Sequence, residues 1–219
     1  MSSAVLNQKQ KKGVIKTIFV IVAIVSLFLG LFMHKMLSPR IMSKQELAVN
    51  GAIVFEKPRI IKPFELVSDL GQPFKLEQLE NKWTLIFFGF TTCPDICPLT
   101  LANLSRVYKS LDEDIRKQTQ IVMVSVDPAR DTPESLAEYM GYFDPGFRGL
   151  TGEFLPIKRL ADNLNVAFNK VMLDDGDYTV DHTGNIILIN PKGHYHGFFK
   201  PPFELARLKA AHQSIVSSF

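Results

Sequence analysis

The sequence predicts an α/β sandwich with a mixed central sheet, carried behind one N-terminal membrane-spanning helix. Three observations predict it. Residues 83–90 and 120–126 are apolar runs of strand length, each followed by a helical pattern, as expected of strands buried on both faces of a partly parallel sheet. Residues 185–190, the turn Pro191-Lys192-Gly193 and residues 194–199 form a hairpin signature, which adds antiparallel pairing. Thr17 to Met33 is a run of 17 uncharged, mostly apolar residues, longer than any strand needs.

Size and charge narrow the function classes. A chain of 219 residues has room for one domain and its appendages. The net charge of +3 belongs to the N-terminus, where residues 1–33 hold Lys9, Lys11, Lys12 and Lys16 and no acid. The remainder keeps 21 of the 25 basic residues against 22 acidic ones, a net of −1. A near-neutral domain without a basic stripe excludes nucleic acid as a partner.

Residues 1–13 are a basic tail and 14–33 the anchor, with Val14 and Ile15 extending the apolar run past Lys16. Twenty residues at about 1.5 Å each span roughly 30 Å, one bilayer core. The run exceeds a signal-peptide core and ends without a small-x-small cleavage pattern, so it is read as retained. Lysines in the tail favour an N-terminus on the cytoplasmic side, although Lys35, Arg40 and Lys44 on the far flank reduce the bias.

Residues 34–54 are expected to be a linker and 55–219 the globular domain, with its first strands from Ile60. Segments 60–67 and 69–76 read as two short strands around a Gly71 turn, followed by a helical turn over 77–81. The buried strand 83–90 then breaks into a loop holding Cys93 and Cys97, the only cysteines. Pro98 is expected to open a helix over 99–111, since its missing N–H has no intrahelical partner in a first turn. The strand 120–126 leads into a loop ending on Thr132 as N-cap, Pro133 as first helical residue and Glu134 beside the positive helix end. That helix should end near Tyr142. An extended piece over 149–152, a helix over 155–164, a polar turn over 174–177, the segment 178–182, the hairpin and a closing helix over 203–216 complete the domain.

Two thiols where a buried strand meets a helix start are placed for chemistry. The helix macrodipole there favours thiolate, the form that attacks disulfides and binds metal. As a structural disulfide the pair would close too short a loop to constrain the unfolded chain much. A functional pair, redox or metal, is the reading taken. A metal site needs a further donor. Of the five histidines, His34 at the membrane edge and His212 in the last helix are expected to be solvated. His194 and His196 share a strand face just after a turn and are also expected to be solvated. His182, next to Asp181 at the edge of a layer, stays open between core residue and ligand.

The segments Phe-Phe-Gly-Phe-Thr-Thr-Cys93-Pro-Asp-Ile-Cys97-Pro98, Val126-Asp-Pro-Ala-Arg-Asp-Thr-Pro133 and Tyr178-Thr-Val-Asp-His182-Thr resemble, in order, three signature segments of the Sco/SenC family. The resemblance implies a thioredoxin-like fold and a membrane-tethered copper chaperone serving the copper-bearing subunit of cytochrome c oxidase. It further implies Cys93, Cys97 and His182 as copper ligands. Thr183 stands where many members have serine. The implied location is a single-pass protein of the inner (cytoplasmic) membrane with its domain in the periplasm, the mitochondrial inner membrane being the second reading.

The donor chemistry agrees, because thiolates suit Cu(I), imidazole suits both copper oxidation states, and structural zinc wants a fourth ligand. Asp181 is expected to orient the imidazole. Asp127, Arg130 and Asp131 are read as loop structure, with a docking surface as the lesser reading. The turn at Asp174, Asp175 and Asp177 is read as solvated, since it lacks the later glutamate of a calcium loop. The competing function is a thiol–disulfide oxidoreductase using Cys93 and Cys97. Against it stand the three-residue spacing and the absence of proline in 181–183, where thioredoxin-like reductases place one.

Overall fold

The computed structural model describes residues 8–37, 40–174 and 176–219. The tail residues 1–7, the linker residues Ser38 and Pro39, Asp175 of the polar turn and the side chain of His34 lie outside the described residues. The chain divides into two units, the second being Ile41–Phe219.

The first unit is built on one helix, α1 (Gln8–Leu37). Its stretch Gly13–Met33 is 21 residues long, apolar enough to cross a membrane, and buries none of its side chains against protein.

The second unit starts earlier than its hydrophobic pattern suggests. Helix α2 (Lys44–Val49) begins in a capping box in which the Ser43 hydroxyl accepts from the Glu46 N–H and the Glu46 carboxylate accepts from the Ser43 N–H. Strand β1 (Ala52–Ile60) follows. Residues 44–54, expected as linker, are therefore part of the domain, and Leu47 and Ala52 are buried in its core. The strand carries no clear sequence signal because it is an edge strand interrupted by Pro58 and by a register shift between Val54 and Arg59, which breaks its alternation.

Strands β2 (Glu65–Ser68) and β3 (Pro73–Lys75) form the expected hairpin, with Gly71 at φ 69° in its turn. A single 3-10 turn over Leu76–Leu79 leads to β4 (Trp83–Gly89), buried at every position. Helix α3 (Ile96–Ser110), a short α4 (Glu113–Lys117) that the pattern did not announce, and β5 (Thr119–Ser125) follow. Helix α5 (Pro133–Gly141) has the expected Thr132 cap and Pro133 start. Then come β6 (Arg148–Thr151), α6 (Phe154–Asn163), β7 (Phe168–Met172), β8 (Tyr178–His182), β9 (Ile186–Ile189), β10 (His194–Phe199) and α7 (Leu205–Ser217).

Eight strands make one mixed sheet in the order β1-β10-β9-β4-β5-β6-β2-β3. Strands β4, β5 and β6 run parallel, while β9 joins β4 antiparallel and extends the sheet through the β9–β10 hairpin. Strand β4 has a neighbour on each edge, and both of its faces are covered: Leu85 and Phe87 on one and Ile86 and Phe88 on the other are buried alike, with Thr84 the one polar side chain among them. The helix after the cysteine loop begins at Ile96, two residues before Pro98, so Cys97 sits inside its first turn. Leu99 is the first residue there whose N–H bonds back, to the Asp95 carbonyl at 3.3 Å, so Pro98 forfeits no helical hydrogen bond.

Strands β7 and β8 form a separate antiparallel ribbon, with Phe168 opposite His182. The β7 strand was not expected, since four of its five residues are exposed and leave no buried run to detect.

Candidate metal centre

Strand β4 delivers the cysteine loop from the middle of the sheet. Gly89 closes the strand, and a Cβ there would stand 2.8 Å from the Phe87 ring and 3.1 Å from Cys97 Sγ. A glycine at this position lets the sulfur lie directly against the strand end. The loop is pinned at its start by Asp131, buried below the sheet end. Its carboxylate accepts from the Thr91 hydroxyl at 2.5 Å, the Thr91 N–H at 3.2 Å and the Ser125 hydroxyl at 2.6 Å.

Both cysteines are free; Cys93 is half-buried and Cys97 fully buried. Cys97 Sγ lies 3.6 Å from His182 Nε2. The other imidazole nitrogen, Nδ1, lies 3.2 Å from the Thr183 carbonyl. A carbonyl only accepts, so Nδ1 carries the proton and Nε2 turns its lone pair toward the sulfur. The ring packs edge-on against Phe87 and Phe90, at centroid distances of 5.7 and 6.2 Å. Burial holds the His182 pKa below the ordinary histidine value and keeps the imidazole neutral.

Two expectations change here. A thiolate at Cys97 was expected from the helix N-terminus. Burial instead pushes the Cys97 thiol well up, and Cys93 pushes it further. The magnitudes decide it: a macrodipole is worth about 0.3–1 kcal/mol, less than one pKa unit, whereas full burial shifts a group by up to about 3–5 units. Cys97 is a protonated thiol until a metal or a base takes its proton. Asp181 was expected to orient the imidazole; it is exposed, and the Thr183 carbonyl occupies Nδ1 instead.

The other histidines separate clearly. His212 is fully buried rather than solvated, 2.9 Å from the Thr119 hydroxyl, because α7 turns that face onto the domain core. His194 and His196 are half-buried; His196 stands edge-on to Trp83 at 5.0 Å and 3.3 Å from Asn190 Nδ2, a packing role rather than a solvated hairpin.

A groove of about 900 Å³ opens between the start of α3 and the β7–β8 ribbon, lined by Cys93 and His182 together with Phe90, Ile96, Leu99 and Val180. Cys97 lies behind this lining. Among the described residues, no three His, Cys, Asp or Glu side chains already stand gathered tightly enough to hold a metal ion. What is formed is the contact of Cys97 with His182, at the edge of an accessible groove that Cys93 also lines.

The loop after β5 contributes more than sequence reasoning assigned to it. Asp127 accepts from the Tyr178 hydroxyl at 2.8 Å and pairs with Arg130. The Arg130 guanidinium lies 3.9 Å from the centroid of the Tyr178 ring. The signal available beforehand was position: two aspartates four residues apart, at the end of the strand parallel to the one that feeds the cysteine loop.

The chain has known relatives in sequence and in fold. The SCO1/SenC family profile matches residues 55–217. A protein of Stutzerimonas stutzeri is 39% identical over 168 residues, which cover 77% of this chain and 82% of the relative. The SCO2-like protein of Rickettsia felis is 37% identical over 190 residues, covering 85% and 90% of the two chains. The crystal structure of Arabidopsis thaliana ScoI with copper bound superposes with a TM-score of 0.69 at 34% identity, over 73% of this chain and 99% of that one.

Proposed function

This chain belongs to the SCO1/SenC family, and from that premise we propose that it is a membrane-anchored copper chaperone using Cys93, Cys97 and His182. Copper is its cargo, held as Cu(I) or Cu(II) and passed to the copper-bearing subunit of cytochrome c oxidase. The observation that carries this reading is the contact between Cys97 Sγ and His182 Nε2 at 3.6 Å, with the imidazole tautomer leaving Nε2 as a donor. Copper-bound Sco structures among the similar proteins support the choice of metal. So does the description of the Sco family as one of cytochrome c oxidase assembly proteins.

The donors fit the metal chemically. Soft sulfur suits Cu(I), and a neutral imidazole nitrogen helps hold Cu(II). Cys97 supplies a buried donor, His182 a second beside it, and Cys93 closes the third side from the groove by a movement of its loop. Binding releases the thiol protons, so loading is coupled to their removal. The basic tail over 1–13 and the anchor over 14–33 hold the domain at the membrane, with the N-terminus in the cytoplasm and the domain in the periplasm.

A thiol–disulfide reductase is the second reading, favoured by two free thiols four positions apart where the cysteine loop enters α3. In it a partner's disulfide takes two electrons and two protons and becomes two thiols, while Cys93 and Cys97 become a disulfide. Such a reductase needs both cysteines; copper retention needs His182 as well.

Metal analysis of the reduced, detergent-solubilised full chain separates the two. Wild type is expected to retain copper, and His182→Ala to lose affinity by at least about 10–100-fold, the scale set even by indirect perturbation of a ligand. Equal retention by both proteins in both oxidation states would overturn the three-ligand site.

A further inference from the structure

The loop between β5 and α5 touches both arms of the proposed site. Asp131 grips the cysteine arm through Thr91, two residues before Cys93. Asp127 grips the histidine arm through the Tyr178 hydroxyl, in the strand that ends at His182. Ser125 joins the two grips: its hydroxyl donates to Asp131 and accepts from the Asp127 N–H at 3.0 Å.

The histidine arm needs such a grip. It is a two-stranded ribbon outside the main sheet, and a ribbon of that kind is marginal in water unless something packs on it. Its His182 end is held by the Thr183 N–H to the Ala167 carbonyl at 2.9 Å and by Phe168 edge-on to Phe154. Its other end is held by Tyr178. Besides the hydrogen bond to Asp127, that ring has the Arg130 guanidinium 3.9 Å and the Lys170 ammonium 3.3 Å from its centroid. Arg130 also reaches Asp177 and lies 6.0 Å from the Phe90 ring, beside the cysteine loop. Tyr178, Val180 and His182 alternate along β8 and share one face of the ribbon, so fixing the roll of Tyr178 fixes which way His182 faces.

We infer that Asp127, Arg130 and Tyr178 are positioning residues that hold the His182 imidazole against Cys97. The loop 127–131 is then the frame that sets the distance between the cysteine and histidine arms. This inference rests on the copper reading in treating His182 as a donor.

The test uses Tyr178→Phe, which keeps the ring and removes only the hydroxyl, and Asp127→Asn, in the full chain in detergent micelles. In the reduced, metal-free protein, amide hydrogen exchange in β7 and β8 is expected to accelerate about ten-fold or more, the scale of a lost hydrogen bond to a charged group. Exchange in β4 and β5 should stay at the wild-type rate, and the double variant should be little worse than either single one. A merely structural loss of stability would instead accelerate the slow amides of the whole domain together. In the Cu(II)-loaded protein, the imidazole-nitrogen coupling of the copper spectrum is expected to weaken in both variants.

Ribbon amides at the wild-type rate in both variants, or acceleration spread equally over β4 and β5, would overturn the inference. Wild type lacking imidazole coupling at copper would instead sink the copper reading and leave the exchange result to decide the clasp alone.

Discussion

Cys97 Sγ and His182 Nε2 meet at 3.6 Å although 85 positions separate them in the chain. One comes from the first turn of α3 and the other from the last residue of β8, an element outside the main sheet. The pair exists because Gly89 leaves room for the sulfur and the Thr183 carbonyl turns the ring.

The two thiols should differ in reactivity. Cys93 is half-buried at the groove, whereas Cys97 is buried and burial raises its pKa. Limited alkylation of the reduced, metal-free protein near neutral pH is expected to label Cys93 first, with Cys97 at least ten-fold slower because little of it is thiolate. Peptide mass spectrometry over a time course reads this directly, and labelling of Cys97 ahead of Cys93 would contradict it.

Gly89→Ala should damage the site more than its size suggests. The added methyl would meet the Phe87 ring at 2.8 Å and Cys97 Sγ at 3.1 Å, so strand end and sulfur must part. Overpacking of this kind costs about 1–3 kcal/mol. Denaturant unfolding checks the stability loss, and a copper titration of the same variant should show weakened binding.

Asp131→Asn should loosen the cysteine arm. The carboxylate accepts from Thr91 twice and from Ser125. An amide presents one acceptor and one donor to the same three donors, which leaves a buried group badly paired, at about 1–3 kcal/mol. Urea unfolding should show this loss, whereas Asp174→Asn in the exposed turn should leave stability at the wild-type value.

Acid should weaken the fold through His212. Burial pushes its pKa down to about 4 from 6.5. The unfolded chain therefore takes up the proton first, so the stabilisation is complete above about pH 6.5 and is lost as pH falls toward about 4. The shift corresponds to on the order of 3 kcal/mol. The difference in unfolding free energy between wild type and His212→Gln, followed from pH 7 to 4, isolates this contribution from His182 and His196. A pH-independent difference would refute it.

Truncation should locate the domain boundary. A chain of residues 41–219 is expected to fold, since it is a compact unit containing α2 and β1. A chain starting at Ile61 loses β1 and the buried Leu47 and Ala52, and uncovers β10 as a new edge. Circular dichroism and cooperative unfolding should be retained by the first chain and degraded in the second.

What the sequence determined by itself was whatever local chemistry can specify. The apolar runs of β4 and β5, the Thr132-Pro133 helix start, the β9–β10 hairpin and the membrane-compatible stretch over 14–33 are all signals carried by neighbouring residues. The cysteine spacing and the order of the three motifs pointed to the family for the same reason. Strand β1 is not legible in the sequence because its alternation is broken by Pro58 and a register shift, nor is β7, four of whose five residues are exposed. The protonation of Cys97, its contact with His182, the burial of His212 and the grip of Asp127 on Tyr178 were decided only in three dimensions. Each depends on desolvation or on a contact between distant segments, and neither quantity exists until the chain has folded back on itself.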